Sequence, residues 1–303
     1  MTDCYSEKKA LIFDSDVGTD DAVAFLMWTL KNTITPDFVI SAYGNTSYEK
    51  ALINTLILKT YLKMNTQLVS GVRPPDDFIP SDFHGSDGFA GLQKTMWDAL
   101  HLTKQQLKTE FISFDELFDK LKEINKITYI AVGPVTNLAE MLKNPEMRRK
   151  IDKIFLMGGG IHEFNCDHET EFNFSKNPDA VKTVLASGLD IFLFPLDLTK
   201  HQLVYQDELE KLTSSGRFPE FIELMNYNRK RIFQFNNING ACMHDSMPVL
   251  YTLFPEKFEF SEMRILCDEW GHLEENPNGF PVHIAVKTED RLLLNSLETI
   301  FHC

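Results

Sequence analysis

Short, almost wholly apolar runs alternate along this chain with stretches of helical periodicity, and that alternation limits the fold more than any other feature. ALIF (Ala10–Phe13), FVISAY (Phe38–Tyr43), ITYIAVG (Ile127–Gly133), KIFLMGG (Lys153–Gly159) and IFLFPLD (Ile191–Asp197) lack the polar alternation of a strand with one wet face. Such strands are buried on both sides, as in a parallel sheet covered by its crossover helices. The segments between them supply helices at about Asp20 to Leu30, Tyr48 to Lys63, Asn137 to Lys143 and Pro178 to Ala186. From Leu203 to Phe235 the pattern is helical with mixed charge and no obvious strand, and VHIAV (Val282–Val286) adds one late strand. The expectation is an α/β fold with a mostly parallel central sheet flanked by helices. With no internal repeat or flexible linker, residues 1–303 read as one domain carrying a mainly helical segment at about 203–240.

Composition narrows the function. The 303 residues are 43% hydrophobic and carry a formal net charge of −14. Nucleic acid and anionic membrane are disfavoured as partners, because phosphate recognition needs an excess of Lys and Arg. Cys4, Cys166, Cys242, Cys267 and Cys303 are scattered without C-x-x-C spacing and read as reduced thiols. The amino terminus shows no signal-peptide pattern, and no run approaches the roughly 18 apolar residues of a membrane span. A cytoplasmic protein is expected.

The candidate site residues gather where the strands end. Asp14 and Asp16 follow the first strand, Asn45 the second, Thr136 a third and Met157 a fourth. In open α/β sheets, ligands bind beyond the carboxyl ends of the strands. DSDVGTDD (Asp14–Asp21) crowds carboxylates into a strand-to-helix junction where Gly18 permits a tight turn. Helix capping accounts for part of this, since Asp20 suits an N-cap and Asp21 a first turn. It leaves Asp14 and Asp16 unexplained, and crowded carboxylates persist most easily around a cation. All-oxygen ligation without a His/Cys set favours calcium or magnesium over zinc. The aspartyl-phosphate phosphohydrolases also place D-x-D after an amino-terminal strand. Here, however, the spacing to Gly-Thr is one residue too long and D-D follows almost at once.

Further segments are ambiguous taken singly. Gly44-Asn45 is a turn or a polar strand end. HGSDG (His84–Gly88) is a solvent loop or a source of an imidazole and a carboxylate. GPVTN (Gly133–Asn137) offers Thr136 either as an N-cap or as a backbone carbonyl for a cation. Between Met157 and Asp179, Asn165, Glu171 and Asn173 form a polar surface loop or a grip for the vicinal hydroxyls of a sugar. His244 adjoins Asp245 at the start of an apolar helix, where Asp245 is an N-cap or a cation ligand and His244 an acid group.

In this order, D-x-D-x-G-x-D-D, GPVTN, the MGGG–N–E-x-N segment and HD closely resemble the inosine/uridine-preferring nucleoside hydrolases. The resemblance covers positions 9 to about 200 and resumes at ACMHD (Ala241–Asp245), and the final VHIAVKTEDRLLLNSL looks like the family's terminal strand and helix. It implies a Rossmann-like domain and one tightly bound calcium. The implied activity is hydrolysis of the N-glycosidic bond of ribonucleosides to free base and ribose. By motif match, Asp16, Asp21 and Asp245 are carboxylate ligands and Thr136 supplies a backbone oxygen. Asp16 is also the general base for a cation-activated water, and Asp14 stands behind it as an orienting partner. Asp20, Asn45, Asn165, Glu171 and Asn173 match ribose-binding positions, while Met157 packs beneath the sugar. His84 and His244 match histidines near the base, and His244 is the acid that aids its departure. Such a site suits a reaction that builds positive charge on the ribose ring and gains rate by orienting its hydroxyls.

Departures from the pattern are local. Val17 stands where the family often has Pro, Ser15 where Thr or Cys is common, and SMP follows His244-Asp245 in place of Pro-Cys. The stretch from Leu203 to Asn239 matches weakly, although in the family it often contacts the base, and it offers Tyr227 as a contact. Asn45 and His244 resemble the broad or pyrimidine-tolerant branch; Trp28, Trp97 and Trp270 all lie outside the motifs. The family resemblance also implies a homodimer or homotetramer. A nucleoside- or ribose-binding protein without turnover is the alternative, with a phosphohydrolase behind it.

Overall fold

The computed structural model describes residues 7–31 and 33–302; Cys4 and Cys303 lie outside them. The strands are β1 (Lys9–Ser15), β2 (Phe38–Ser41), β3 (Gln67–Ser70), β4 (Phe111–Ile112), β5 (Lys126–Ala131) and β6 (Ile151–Met157), then β7 (Ile191–Phe194), β8 (Leu203–Tyr205), β9 (Gly240–Cys242), β10 (Phe258–Cys267), β11 (Leu273–Glu275) and β12 (Phe280–Thr288). Ten of them form one sheet in the order β11-β10-β12-β7-β6-β5-β1-β2-β3-β4. From β4 across to β12 every pairing is parallel. At the far edge β10 runs the other way, antiparallel to both β12 and β11. The fold is therefore α/β with a mostly parallel central sheet, as the apolar runs predict.

The packing explains those runs. In β1, Ala10 and Ile12 enter one core cluster while Phe13 enters the other. In β6, Ile154 and Leu156 face the first and Phe155 and Met157 the second. Successive side chains alternate between two buried faces, so the sequence shows no polar period. On one face the helix Thr19–Met27 packs against the helices Pro219–Asn236 and Ser246–Leu253. That packing brings the acidic cluster, the 219–236 helix and the His244-Asp245 pair to one rim.

Differences from the sequence expectation have local causes. The segment at 203–240 is framed by β8 and β9, which pair antiparallel as a small second sheet; each spans three residues, too short for a period to show. Strand β4 spans two residues. Strand β10 (FEFSEMRILC) lies half-exposed near the sheet edge and carries charges on its open side. The helix read as starting at Asp20 begins at Thr19 with Gly18 as its N-cap. Likewise Val135, not Thr136, caps the helix Thr136–Leu142.

Behind the rim, Asp14 is fully buried. Tyr129 Oη donates to its Oδ2 at 2.7 Å and Asn137 Nδ2 to its Oδ1 at 2.9 Å. Burial pushes this carboxyl up to about 7, against the pull of those two bonds. Tyr129→Phe removes a donor from a carboxyl that water cannot reach, so a loss of about 1–3 kcal/mol of stability is expected. It should appear as a lower denaturation midpoint at unchanged slope. An unchanged midpoint would refute the role given to this bond.

Candidate active site

A cavity of about 940 Å³ opens at the carboxyl ends of the central strands, where Asn45, Val132 and Met157 line its floor. Asp20 and Asp245 line it, and Asp16 and Asp21 are fully buried beside them without reaching the cavity surface. Asp21 is the best satisfied: Oδ1 accepts from Ser15 Oγ at 2.6 Å, and Oδ2 accepts from the Gly18 N–H at 2.7 Å and Asn45 Nδ2 at 3.0 Å. Asp16 Oδ2 accepts from the Asn45 N–H at 2.6 Å, while its Oδ1 is buried without a partner among the described residues. Asp20 Oδ1 is orphaned in the same way. Asp245 occupies the N-cap position of the helix Ser246–Leu253 but makes no capping bond.

These carboxylates fit a cation. Oxygens of Asp20, Asp21 and Asp245 all lie within 4.8 Å of one another. Burial first, and the neighbouring acids second, raise Asp16 well above the ordinary carboxylate range and Asp20 to about 8. Burial and then Asp20, Asp21 and Asp16 do the same to Asp245. Orphaned carboxylate oxygens packed against like charges cost stability unless protons or a metal ion neutralise them. The Asp20–Asp21–Asp245 triad can hold such an ion.

Two glycines hold Asp16 in place. A Cβ at Gly44 would stand 1.9 Å from Asp16 Oδ2, and one at Gly133 would stand 2.6 Å from Asp16 Oδ1. Backbone therefore closes on the carboxylate from two strands, leaving it little freedom to turn. Gly44→Ala must push that carboxylate aside, and kcat is expected to fall about 10²-fold, as a misplacement of about 1 Å can cost. Activity within about threefold of the parent would show that the carboxylate's position is not critical.

The remaining candidates divide into those that reach the cavity and those that do not. Asn45, His84, Met157, Asn165, Glu171, Asn173 and His244 all line it. Glu171 caps the short helix Phe172–Ser175, accepting from the Asn173 N–H at 3.0 Å and the Phe174 N–H at 3.2 Å, and it also takes the Gly159 N–H at 2.9 Å. Burial raises it to about 7. Asn173 Nδ2 donates to the Val132 carbonyl at 3.0 Å and the Met157 carbonyl at 3.2 Å. Asn165 Oδ1 accepts from the Phe172 N–H at 2.9 Å, which steadies its own loop.

His84 Nδ1 accepts from the Thr19 N–H at 3.1 Å and lies 3.7 Å from Asp20 Oδ1. His244 Nδ1 lies 2.7 Å from Thr199 Oγ1. Burial, then His244 and Arg231, lower His84 to about 3, and burial lowers His244 to about 4. Both imidazoles are therefore neutral at pH 7.

Thr136 and Tyr227 do not line the cavity. The Thr136 hydroxyl meets Tyr43 Oη at 3.0 Å and Asn177 Nδ2 at 3.0 Å, and its carbonyl lies within the first turn of a helix, where it is committed to the chain. The strand-end carbonyl beside the cavity belongs to Val132. Tyr227 turns toward the 85–90 loop, its hydroxyl 3.3 Å from where a Cβ on Gly85 would stand. Asn228 and Arg231 are the neighbours that face inward.

Comparison with known proteins places the chain in a family. The sequence model described as inosine-uridine preferring nucleoside hydrolase matches residues 11–292. The pyrimidine-specific ribonucleoside hydrolase RihB of Shigella sonnei is 28% identical, covering 93% of this chain and 94% of its own. A plant nucleoside hydrolase, PpNRh1, superposes with a TM-score of 0.85 at 22% identity, over 98% of this chain and 99% of its own. A purine-preferring ribonucleoside hydrolase from Gardnerella vaginalis does so with a TM-score of 0.82 at 22% identity, over 97% and 98%. The phosphohydrolase alternative is not favoured. From the strand-end acids to the final helix, the chain belongs to the inosine-uridine preferring nucleoside hydrolase family.

Proposed function

We propose that this enzyme hydrolyses the N-glycosidic bond of ribonucleosides in a calcium-dependent reaction, with Asp16 as general base and His244 assisting departure of the base. The observation that carries the reading is the orphaned oxygen of Asp16, buried beside a carboxylate triad of which Asp20 and Asp245 line the cavity. Asp16, Asp21 and Asp245 would hold the cation with Asp20 beside them, and the Val132 carbonyl is better placed than Thr136 to contribute the backbone oxygen. Calcium fits an all-oxygen set that must also leave room for substrate hydroxyls. When bound, the cation supplies positive charge that keeps these carboxylates ionised and makes a neighbouring water more acidic.

The protein's own groups do the rest. Asn45, Asn165, Glu171 and Asn173 orient the ribose through its hydroxyls, with Met157 beneath the ring and Asp20 at its edge. Asp16 takes the proton of the attacking water as positive charge develops on the sugar. With Thr199 donating to Nδ1, neutral His244 carries its proton on Nε2 and hydrogen-bonds the departing base, easing the negative charge that builds there without giving the proton up. His84 stands nearby as a second contact. Asp14 keeps the end of β1 in register through Tyr129 and Asn137.

The same reading takes residues 1–303 as one domain of a cytoplasmic homodimer or homotetramer that accepts pyrimidine nucleosides. Sedimentation velocity tests the assembly. The activity is tested by release of reducing sugar from uridine, cytidine, inosine and adenosine, with calcium and with a chelator. Turnover of at least one nucleoside that stops on chelation is the expected result. No turnover of any with calcium present would sink the proposal.

A further inference from the structure

The cavity wall formed by the 219–236 helix carries a cation that the reaction scheme leaves unused. Asn228, Arg231, Ile232 and Phe235 fall on one helical face and line the cavity. The Arg231 guanidinium lies 5.8 Å from the centroid of Phe83 and 4.8 Å from that of Phe235, a placement in which the ring faces attract and hold it. Phe83 in turn meets His84 edge-on at 4.9 Å. The Arg231 side chain is 19% exposed, whereas its carboxylate neighbour Asp82, at 3.4 Å, is 94% exposed. So open a partner neutralises little of the charge. A terminal nitrogen reaches Gln234 Oε1 at 3.3 Å, and Nε is buried with no partner among the described residues. A buried guanidinium N–H without an acceptor is costly, and a ligand that brings one relieves it.

We infer that Arg231 selects the base by requiring an exocyclic oxygen on the ring edge that faces the 219–236 helix. This deepens the proposed nucleoside hydrolysis and rests on it. A guanidinium only donates hydrogen bonds. A 4-oxo pyrimidine or 6-oxo purine offers it a carbonyl, whereas the amino counterpart brings another donor to the same point. Two donors face to face leave both unpaired, which is how a polar site rejects the wrong ligand. Ring size does not enter, so uracil and hypoxanthine are favoured over cytosine and adenine alike.

The test compares kcat/KM for uridine, cytidine, inosine and adenosine in the parent enzyme and in Arg231→Met, with calcium saturating. The parent is expected to favour uridine over cytidine and inosine over adenosine by about tenfold or more. Arg231→Met should lower the two oxo substrates about tenfold while the two amino substrates stay within about threefold. Product inhibition of the parent by free uracil and free cytosine gives the same comparison without a variant, and uracil is expected to bind more tightly. An equal loss on all four substrates, or a parent that shows no oxo preference in rate and inhibition, overturns the role of Arg231 and leaves nucleoside hydrolysis standing. A parent inactive on all four overturns the underlying activity, and the inference with it.

Discussion

Asp16→Asn is expected to lower kcat on the best nucleoside about 10³-fold, within the range that a positioned general base contributes. The substitution keeps the side chain's size in a place that tolerates no other change, because Gly44 and Gly133 close on the carboxylate from both sides. It also keeps an acceptor for the Asn45 N–H, now 2.6 Å from Oδ2. What it removes is the ability to take a proton at Oδ1, the oxygen the protein leaves without a partner. Asp16 is also a proposed cation ligand, so the rate must be read at saturating calcium, with calcium affinity measured separately. A deficit that more calcium repairs would make Asp16 a ligand and not the base. A kcat within about tenfold of the parent would remove it from the mechanism altogether.

The fold was legible where both faces of the sheet are packed. Strands β1, β5, β6 and β7 alternate between two cores, so both alternating sets of positions are largely apolar and the run stands out. The short strands β4, β8 and β9 leave no period to read, and β10 mixes burial with charge at a sheet edge. The acidic cluster was legible because its carboxylates are neighbours in sequence and outnumber the caps a single helix can use. Its closure by Asp245 depends on the packing of the helix Ser246–Leu253 against Thr19–Met27, which no local pattern encodes.

The inward-facing side of the 219–236 helix was hidden for a related reason. Asn228 lines the cavity and Tyr227 does not, a difference of one residue and so of about 100° around the helix. That phase is set by what the helix packs against, not by its own weakly amphipathic sequence. The same holds for Val132 and Thr136. Both follow the β5 run, but only the carbonyl before the turn stays outside the helical ladder.

Chelation of the proposed calcium ion is expected to abolish turnover and to destabilise the fold more strongly as pH rises. Without a cation, burial and repulsion from neighbouring acids hold Asp20 near 8 and raise Asp16 and Asp245, and burial raises Asp21, all from an ordinary value of 3.8. For an acid whose folded pKa lies above its unfolded one, the folded state binds the extra protons between the two values. Stability of the metal-free protein is therefore highest near pH 4 as far as these groups are concerned, and it falls as pH climbs toward 8. A bound cation replaces those protons, so its contribution is small in acid, where protons compete for the same oxygens, and grows toward pH 8. At a hundredfold excess over Kd the ion adds about 2.7 kcal/mol, worth about 4 °C in Tm for a chain of this size. Melting curves with calcium and with chelator at pH 5 and pH 8 decide the matter: the gap should be wide at pH 8 and narrow at pH 5. Equal Tm values at pH 8, or a gap that widens in acid, would mean that the carboxylate cluster is neutralised by something other than a metal ion.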